Sequence, residues 1–163
     1  MSRFGSPLCL VPMKQRIPFQ EIPQGLIAGF LQINAPIHQS GLDPKLIELV
    51  NFRVSQINGC AFCLDMHHKD AIHLGETEQR LHGLPAWRES PYYTDPERAA
   101  LAFAELLTID CEMDDATYAA VEAHFPQNQV AALTVLVAGI NAWNRINKSF
   151  RPVPGYYKVG QFA

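Results

Sequence analysis

Apolar residues recur along most of this chain at helical rather than strand spacing. In LDPKLIELVNFRVSQING, Leu46, Leu49, Val50, Val54 and Ile57 fall on one stripe of a helix. Asp43 can cap that helix, Pro44 suits its first position, and Gly59 can close it. Upstream, Leu26, Ile27, Phe30, Leu31 and Ile33 show near-helical spacing between Pro23 and His38, with Pro36 expected to end or bend the helix. The stretch from Asn58 to Gly75 carries both a plausible helix start and a plausible stop. A short helix is expected from Thr77, broken at Gly83 and Pro85. Thr94 or Asp95 can cap the next one, RAALAFAELLTI, with Pro96 opening it. DDATYAAVEAHF is a further short helix stopped by Pro126, and QNQVAALTVLVAGINAWNRINKSF reads as a long, largely buried helix ending near Phe150. No segment alternates as a strand should, and the βαβ alternation of a thioredoxin fold is absent. The pattern predicts an all-α fold with one helical domain over residues 21–150. An irregular arm, 1–20, precedes it, and an aromatic tail, 151–163, follows.

Composition narrows the partners more than the fold. A chain of 163 residues can bury a core without disulfide staples, and 48% hydrophobic against 18% charged residues leaves room for a subunit interface. A net charge of -3 with no basic cluster argues against nucleic acid or an anionic membrane as partner. No apolar run approaches the roughly 20 residues needed to span a bilayer, and the first residues lack the apolar core of a secretory signal. A reducing cytoplasm is the expected compartment. MKQRIPF makes Met13 the expected native start. Cys9 and Cys111 stand alone and are expected to be unreactive thiols.

The chemistry concentrates in NGCAFCLDMHHKDAIHLG, residues 58–75. In a helix, Cys60, Cys63 and His67 lie at i, i+3 and i+7 and share one face. Such a stripe could be a redox centre, three ligands of a metal site with Glu48 or water as the fourth, or a patch of core packing. The redox reading has a mechanism. Amides at a helix start stabilise thiolate, and i,i+3 spacing lets two sulfurs close a local disulfide. His67 could move a proton near neutral pH, so thiolate and base together make an activated nucleophile. A closed structural zinc site would need a second ligand pair, which Cys9 and Cys111 do not supply. His68 and His73 fall off the shared face and read as surface or interface residues. Glu48, at the edge of an apolar stripe, reads by itself as a solvated side chain. Asn141 and Arg145 could line a pocket or pair with Glu97 or Asp95.

These residues resemble a known family. Glu48, then NGCAFCLDMH with Cys60, Cys63 and His67, then Ala71 and Gly75, are similar to the core motif of the AhpD-like alkylhydroperoxidases, within the carboxymuconolactone decarboxylase superfamily. Trp87, the TDPERAALAFAELLT run with Glu97 and Arg98, and INAWNRIN with Asn141, Trp143, Asn144 and Arg145 look like the same family. The resemblance spans roughly Leu42 to Lys148. It implies an AhpD-like helical bundle assembling as a homo-oligomer, trimer or hexamer, with the cysteines near a subunit interface. It further implies that Cys63 attacks a small peroxide and passes through a sulfenic acid, that Cys60 resolves it into a Cys60–Cys63 disulfide, and that Glu48 and His67 relay protons. One residue departs from the pattern: Phe62 stands immediately before the second cysteine, where the best-known AhpD enzymes carry a histidine. Carboxymuconolactone decarboxylases proper do not work through a Cys-x-x-Cys pair, so decarboxylation is disfavoured. A non-peroxidase disulfide oxidoreductase or a redox-sensing oligomer is the alternative. Neither cofactor nor metal is expected, and nothing resembles a reductase domain or nucleotide-binding loop. Electrons must therefore come from an external thiol or a disulfide reductase.

Overall fold

The computed structural model describes residues 14–23 and 25–161. Cys9 and the expected start at Met13 lie outside them. The described residues form helices and connecting turns with no strand. In order these are α1 (Ala28–Gln32), α2 (Asn34–Gln39), α3 (Pro44–Asn58), α4 (Ala61–His73), α5 (Glu78–Gly83), α6 (Asp95–Ile109), α7 (Asp115–Glu122) and α8 (Gln127–Phe150), with single 3₁₀ turns at Phe19–Glu21 and Leu84–Ala86. No helix among them is long and apolar enough to cross a membrane.

The start and stop signals of α3 act as the sequence suggests. Asp43 accepts a hydrogen bond from the Lys45 amide at 2.9 Å, Pro44 occupies the first turn, and Gly59 ends the helix in the left-handed conformation at φ 62°. Glycine adopts that conformation without the penalty a Cβ brings. Glu97 closes the start of α6 by accepting from the backbone N–H of Thr94 at 2.7 Å, so Thr94 rather than Asp95 is the cap.

The segment expected as one helix up to Pro36 is instead two short ones. Pro36 is the third residue of α2, and the break falls at Ile33, three residues earlier than the proline. Pro36 has no N–H to offer the carbonyl four residues back, so a helix can begin around it but cannot run through it. The expected apolar stripe here is not buried: Leu26, Phe30 and Leu31 are exposed. The bend does bring Ile33 against α8. A Cβ on Gly139 would lie 2.9 Å from the Ile33 side chain, which accounts for glycine in the middle of the longest helix.

Helix α3 is the axis of the bundle, packed by α4, α6 and α8. It carries two apolar faces. Ile47, Val50 and Val54 join Ala100, Phe103, Leu133 and Val137 of α6 and α8, while Leu49 and Phe52 join Ala71, Leu81, Leu84, Trp87 and Leu101 on the other side. A helix apolar almost all round is a buried one. Burying a large aliphatic or aromatic side chain contributes about 2 kcal/mol, so these two clusters supply most of the driving force that holds α3 in place.

One buried polar knot ties the same elements together. Glu105 of α6 accepts from Arg53 of α3 at 2.6 Å, from the Trp87 indole N–H at 3.0 Å, and from Arg88. Burial by itself would raise the Glu105 carboxyl, but the hydrogen bonds from Trp87, Arg88 and Arg53 outweigh it and hold the group below its ordinary range. A carboxyl lowered in the folded state contributes stability above its unfolded value, and that contribution is lost as pH falls through the folded value. Glu105→Ala should therefore cost about 3 kcal/mol in denaturant unfolding at pH 7, because Arg53 and the indole N–H are left unpaired. The difference from wild type should shrink as pH falls below about 4, near the ordinary glutamate value.

Candidate active site

The site is assembled where α3 hands over to α4. After the left-handed Gly59, Cys60 is extended (φ −93°, ψ 97°) and serves as N-cap, so α4 begins at Ala61 rather than within Asn58–Cys60. Cys60 therefore lies off the helical stripe predicted for it. It is joined to Cys63 by a disulfide across a Cα–Cα distance of 5.3 Å. Cys63 sits in the first turn of α4, where unpaired backbone amides and the helix dipole favour a thiolate. Both cysteines are buried, Cys63 completely. The pairing removes them from the ligand set considered with His67 and Glu48.

His67, one turn on from Cys63 along α4, is buried and faces α3. Its Nδ1 lies 2.7 Å from Oε2 of Glu48. Glu48 is buried too, contrary to its reading as a solvated side chain, because α3 is covered on every face. A carboxylate accepts, so Nδ1 is the donor in this hydrogen bond and Nε2 is the ring nitrogen left over. Nε2 is buried and has no partner among the described residues.

Three further residues at the site carry no signal in the sequence pattern. Asn147, near the end of α8, donates from Nδ2 to Sγ of Cys63 at 3.4 Å, and its own Oδ1 is buried without a partner among the described residues. Asp70, one turn beyond His67, accepts from the hydroxyl of Tyr157 at 2.9 Å on both carboxylate oxygens. Tyr157 belongs to the tail, which folds back along α4: Lys69 reaches the carbonyls of Gly155 and Tyr157, and Asp65 accepts from the Gly155 amide. Burial, with the Asp70 carboxylate beside it, pushes the Tyr157 phenol well above its ordinary range, so it remains a donor. The residues of α8 that the sequence singled out do other work. Asn144 donates to Ser55, Asn58 donates to both Asn141 and Asn144, and Arg145 donates to Asn141 rather than pairing with Glu97 or Asp95. Glu97 pairs with Arg80 instead. His68 pairs with Glu78, His73 is exposed, and Cys111 is a free, exposed thiol.

A cavity of about 480 Å³ opens onto this cluster. Its walls are largely apolar, including Ile27, Leu31, Phe62, Met66 and Trp143, and its polar lining comprises Glu48, Cys63, His67, Asp70, Asn147 and Tyr157 with few others. Phe19 packs on Phe62 at a ring separation of 6.4 Å and helps wall the cavity. Donor atoms of Glu48, His67 and Asp70 lie within 4.8 Å of one another and could hold a divalent cation. In the structure His67 Nδ1 and Glu48 Oε2 engage each other, and the Asp70 carboxylate accepts from Tyr157. What the cluster can do without a metal is present a sulfur, a base and a hydrogen-bond donor to a small molecule entering an apolar pocket.

Comparisons with known proteins agree with this geometry. The model of the carboxymuconolactone decarboxylase family matches residues 25–106. The chain is 40% identical over 138 residues to the uncharacterized protein YdfG of Bacillus subtilis, covering 83% of this chain and 93% of that one. It is 30% identical to the uncharacterized protein YnjA of Escherichia coli, covering 96% and 85%. Among solved structures, a protein of unknown function from Agrobacterium tumefaciens, a candidate antioxidant defence protein AhpD, superposes with a TM-score of 0.81. It is 36% identical, over 88% of this chain and all of that one.

Asp70 generates a stability prediction of its own. Burial, aided by the Glu48 carboxylate, raises the Asp70 carboxyl above its ordinary value despite the Tyr157 hydrogen bond and the attraction of His67 and His73. A raised carboxyl favours the fold fully below its unfolded value, and that preference is lost as pH rises through the folded value. Asp70→Asn should therefore unfold at a higher temperature than wild type at pH 7, with the gap closing near pH 3. A gap of the same size at both pH values would show that the carboxylate is not strained by its surroundings.

Proposed function

Because the chain belongs to the carboxymuconolactone decarboxylase family, in its AhpD-like branch, we propose that it is a thiol-dependent peroxidase acting on small hydroperoxides through Cys60 and Cys63. The observation that carries this reading is the place of Cys63, itself fully buried, among the residues that line the cavity, one turn from the His67–Glu48 pair, while Cys60 does not line it. Cys63 is thus the nucleophile and Cys60 the resolving thiol. In the reduced protein the Cys63 thiolate attacks the terminal oxygen of the hydroperoxide. The O–O bond breaks, Cys63 becomes a sulfenic acid, and the leaving oxygen departs as alcohol or water with a proton from His67. The Cys60 thiol then attacks the Cys63 sulfur, water is expelled, and the disulfide forms. An external thiol or disulfide reductase supplies the two electrons that restore the dithiol.

Glu48 holds the His67 ring in place. Since Phe62 replaces the histidine of the best-known relatives, proton transfer falls to His67 and Glu48 alone. The burial of both cysteines favours a small oxidant over a protein disulfide, which would need to reach sulfur through the cavity. Exposed Leu26, Phe30 and Leu31 support a homo-oligomer, trimer or hexamer, in which a neighbouring subunit covers this patch. Light scattering showing a monomer at micromolar concentration would remove that part of the reading.

Prereduced protein mixed with one equivalent of cumene hydroperoxide should lose two thiols and release one equivalent of alcohol. Cys63→Ser should abolish the reaction. Cys60→Ser should stop after one turnover at a sulfenic acid that dimedone traps. Thiols that resist hydroperoxide yet exchange with small disulfides would replace the peroxidase reading with a disulfide oxidoreductase.

A further inference from the structure

Two buried polar atoms have no hydrogen-bond partner among the described residues, and the residues that carry them line the same cavity as Cys63. One is Nε2 of His67, the other Oδ1 of Asn147. Their residues are 94% and 95% buried, since only 6% and 5% of each surface is exposed. Leaving a buried polar atom unpaired costs on the order of 1–3 kcal/mol, so two of them on residues of one cavity lining mark a place where a ligand, not the fold, completes the hydrogen bonding. The remaining amide atom of Asn147, Nδ2, already points at Sγ of Cys63 from 3.4 Å. The contacted atom is a disulfide sulfur, occupying the position that the thiolate takes after reduction.

We propose that Asn147 is a catalytic residue that stabilises the Cys63 thiolate through Nδ2–H and receives the O–H of the bound hydroperoxide on Oδ1. The proposal rests on the peroxidase reading above. In a hydroperoxide R–O–O–H the terminal oxygen is attacked, and its hydrogen is the one donor the substrate has. Oδ1 can take that hydrogen bond, which directs the terminal oxygen toward Cys63. The inner oxygen, which leaves as the S–O bond forms and the O–O bond breaks, then takes from His67 Nε2 the proton that Nε2 received from the Cys63 thiol when the thiolate formed. Atoms and charge balance: thiolate, hydroperoxide and imidazolium give sulfenic acid, alcohol and neutral imidazole. The apolar walls receive the R group. The same amide thus works on both reactants, and its two functional atoms explain why an asparagine rather than an aliphatic residue closes this end of α8.

The test is the reduced protein carrying Asn147→Leu, with Asn147→Ala in case leucine does not fit. Asn144→Ala serves as comparator one turn earlier on α8, since Asn144 bonds only to Ser55 and Asn58. The first readout is the pH profile of Cys63 alkylation by iodoacetamide, which needs no peroxide. Loss of a hydrogen bond to a charged sulfur should move the profile up by about one pH unit or more. The second is the rate of oxidation by cumene hydroperoxide at fixed pH above both profiles, which should fall about tenfold or more. The melting temperature of Asn147→Leu should stay level or rise, because an unpaired buried oxygen is removed, whereas Asn144→Ala should melt lower and leave the alkylation profile in place. An unmoved alkylation profile in both Asn147 variants would overturn the proposal. If the profile moves but wild-type thiols ignore hydroperoxide, the peroxidase reading fails, and the role of Oδ1 fails with it.

Discussion

The hydrogen bond between Glu48 and His67 is the constraint on which the rest of this structure depends. Glu48 sits on a helix buried on every face, so its carboxylate cannot turn to bulk water. An isolated buried charge costs several kcal/mol, and only a close partner or a proton relieves it. His67 is that partner at 2.7 Å, and the contact fixes which way the imidazole faces. It also sets the angle and depth at which α4 docks on α3, because Cys63 and His67 share one face of α4. Moving the pair apart would strand a carboxylate in the core and draw Cys63 away from the cavity.

The remainder of the chain gives that cavity its largely apolar wall. Segments distant in sequence converge on the start of α4. Phe19 lies against Phe62, the tail brings Tyr157 onto Asp70, and α8 sets Asn147 beside the sulfur. Near the N-terminal end of the described chain, the Arg16 amide bonds to the carbonyl of Phe150 at 2.8 Å, so the arm and the end of α8 are held together over this region. A largely apolar wall strengthens charge–dipole contacts at the sulfur, and it suits a small molecule with an apolar group. Asp70 is the cost of this arrangement: a second carboxylate near Glu48, held by a phenol rather than by a cation.

What could be read from the sequence follows from locality. The cap, proline and glycine that bound α3 lie within a few residues of the helix they control, and they act as expected. The alignment of Cys63 with His67 is also local, set by helical spacing, and so is the pairing of Cys63 with Cys60, three residues back at the N-cap. Glu48 was legible only through family resemblance, because nothing near it in sequence reveals that α3 is buried all round. Asn147 and Tyr157 lie more than eighty residues from the cysteines, and an asparagine near a helix end or a tyrosine in a tail carries no signal of its own. Pro36 misled by one turn: the proline marks where a helix cannot continue through, and the chain used it inside a first turn instead. Arg145 and Asn141 could line a pocket or pair with Glu97 or Asp95 by sequence, but Asn141 instead accepts from Asn58 of α3 and from Arg145 one turn along α8.

The central claim is that the Glu48–His67 pair governs the reactivity of Cys63, and the pH dependence of its oxidation tests that most directly. The second-order rate of cumene hydroperoxide reduction by prereduced wild type and by Glu48→Gln would be followed from pH 5 to pH 9 in stopped flow. Glutamine retains a hydrogen bond to Nδ1 but not the charge that favours imidazolium. The account predicts a rate for Glu48→Gln lower by about a hundredfold near neutrality, in the range that positioned acid–base groups contribute, with an altered pH profile. A wild-type rate and profile in the variant would show that the buried carboxylate serves the fold alone.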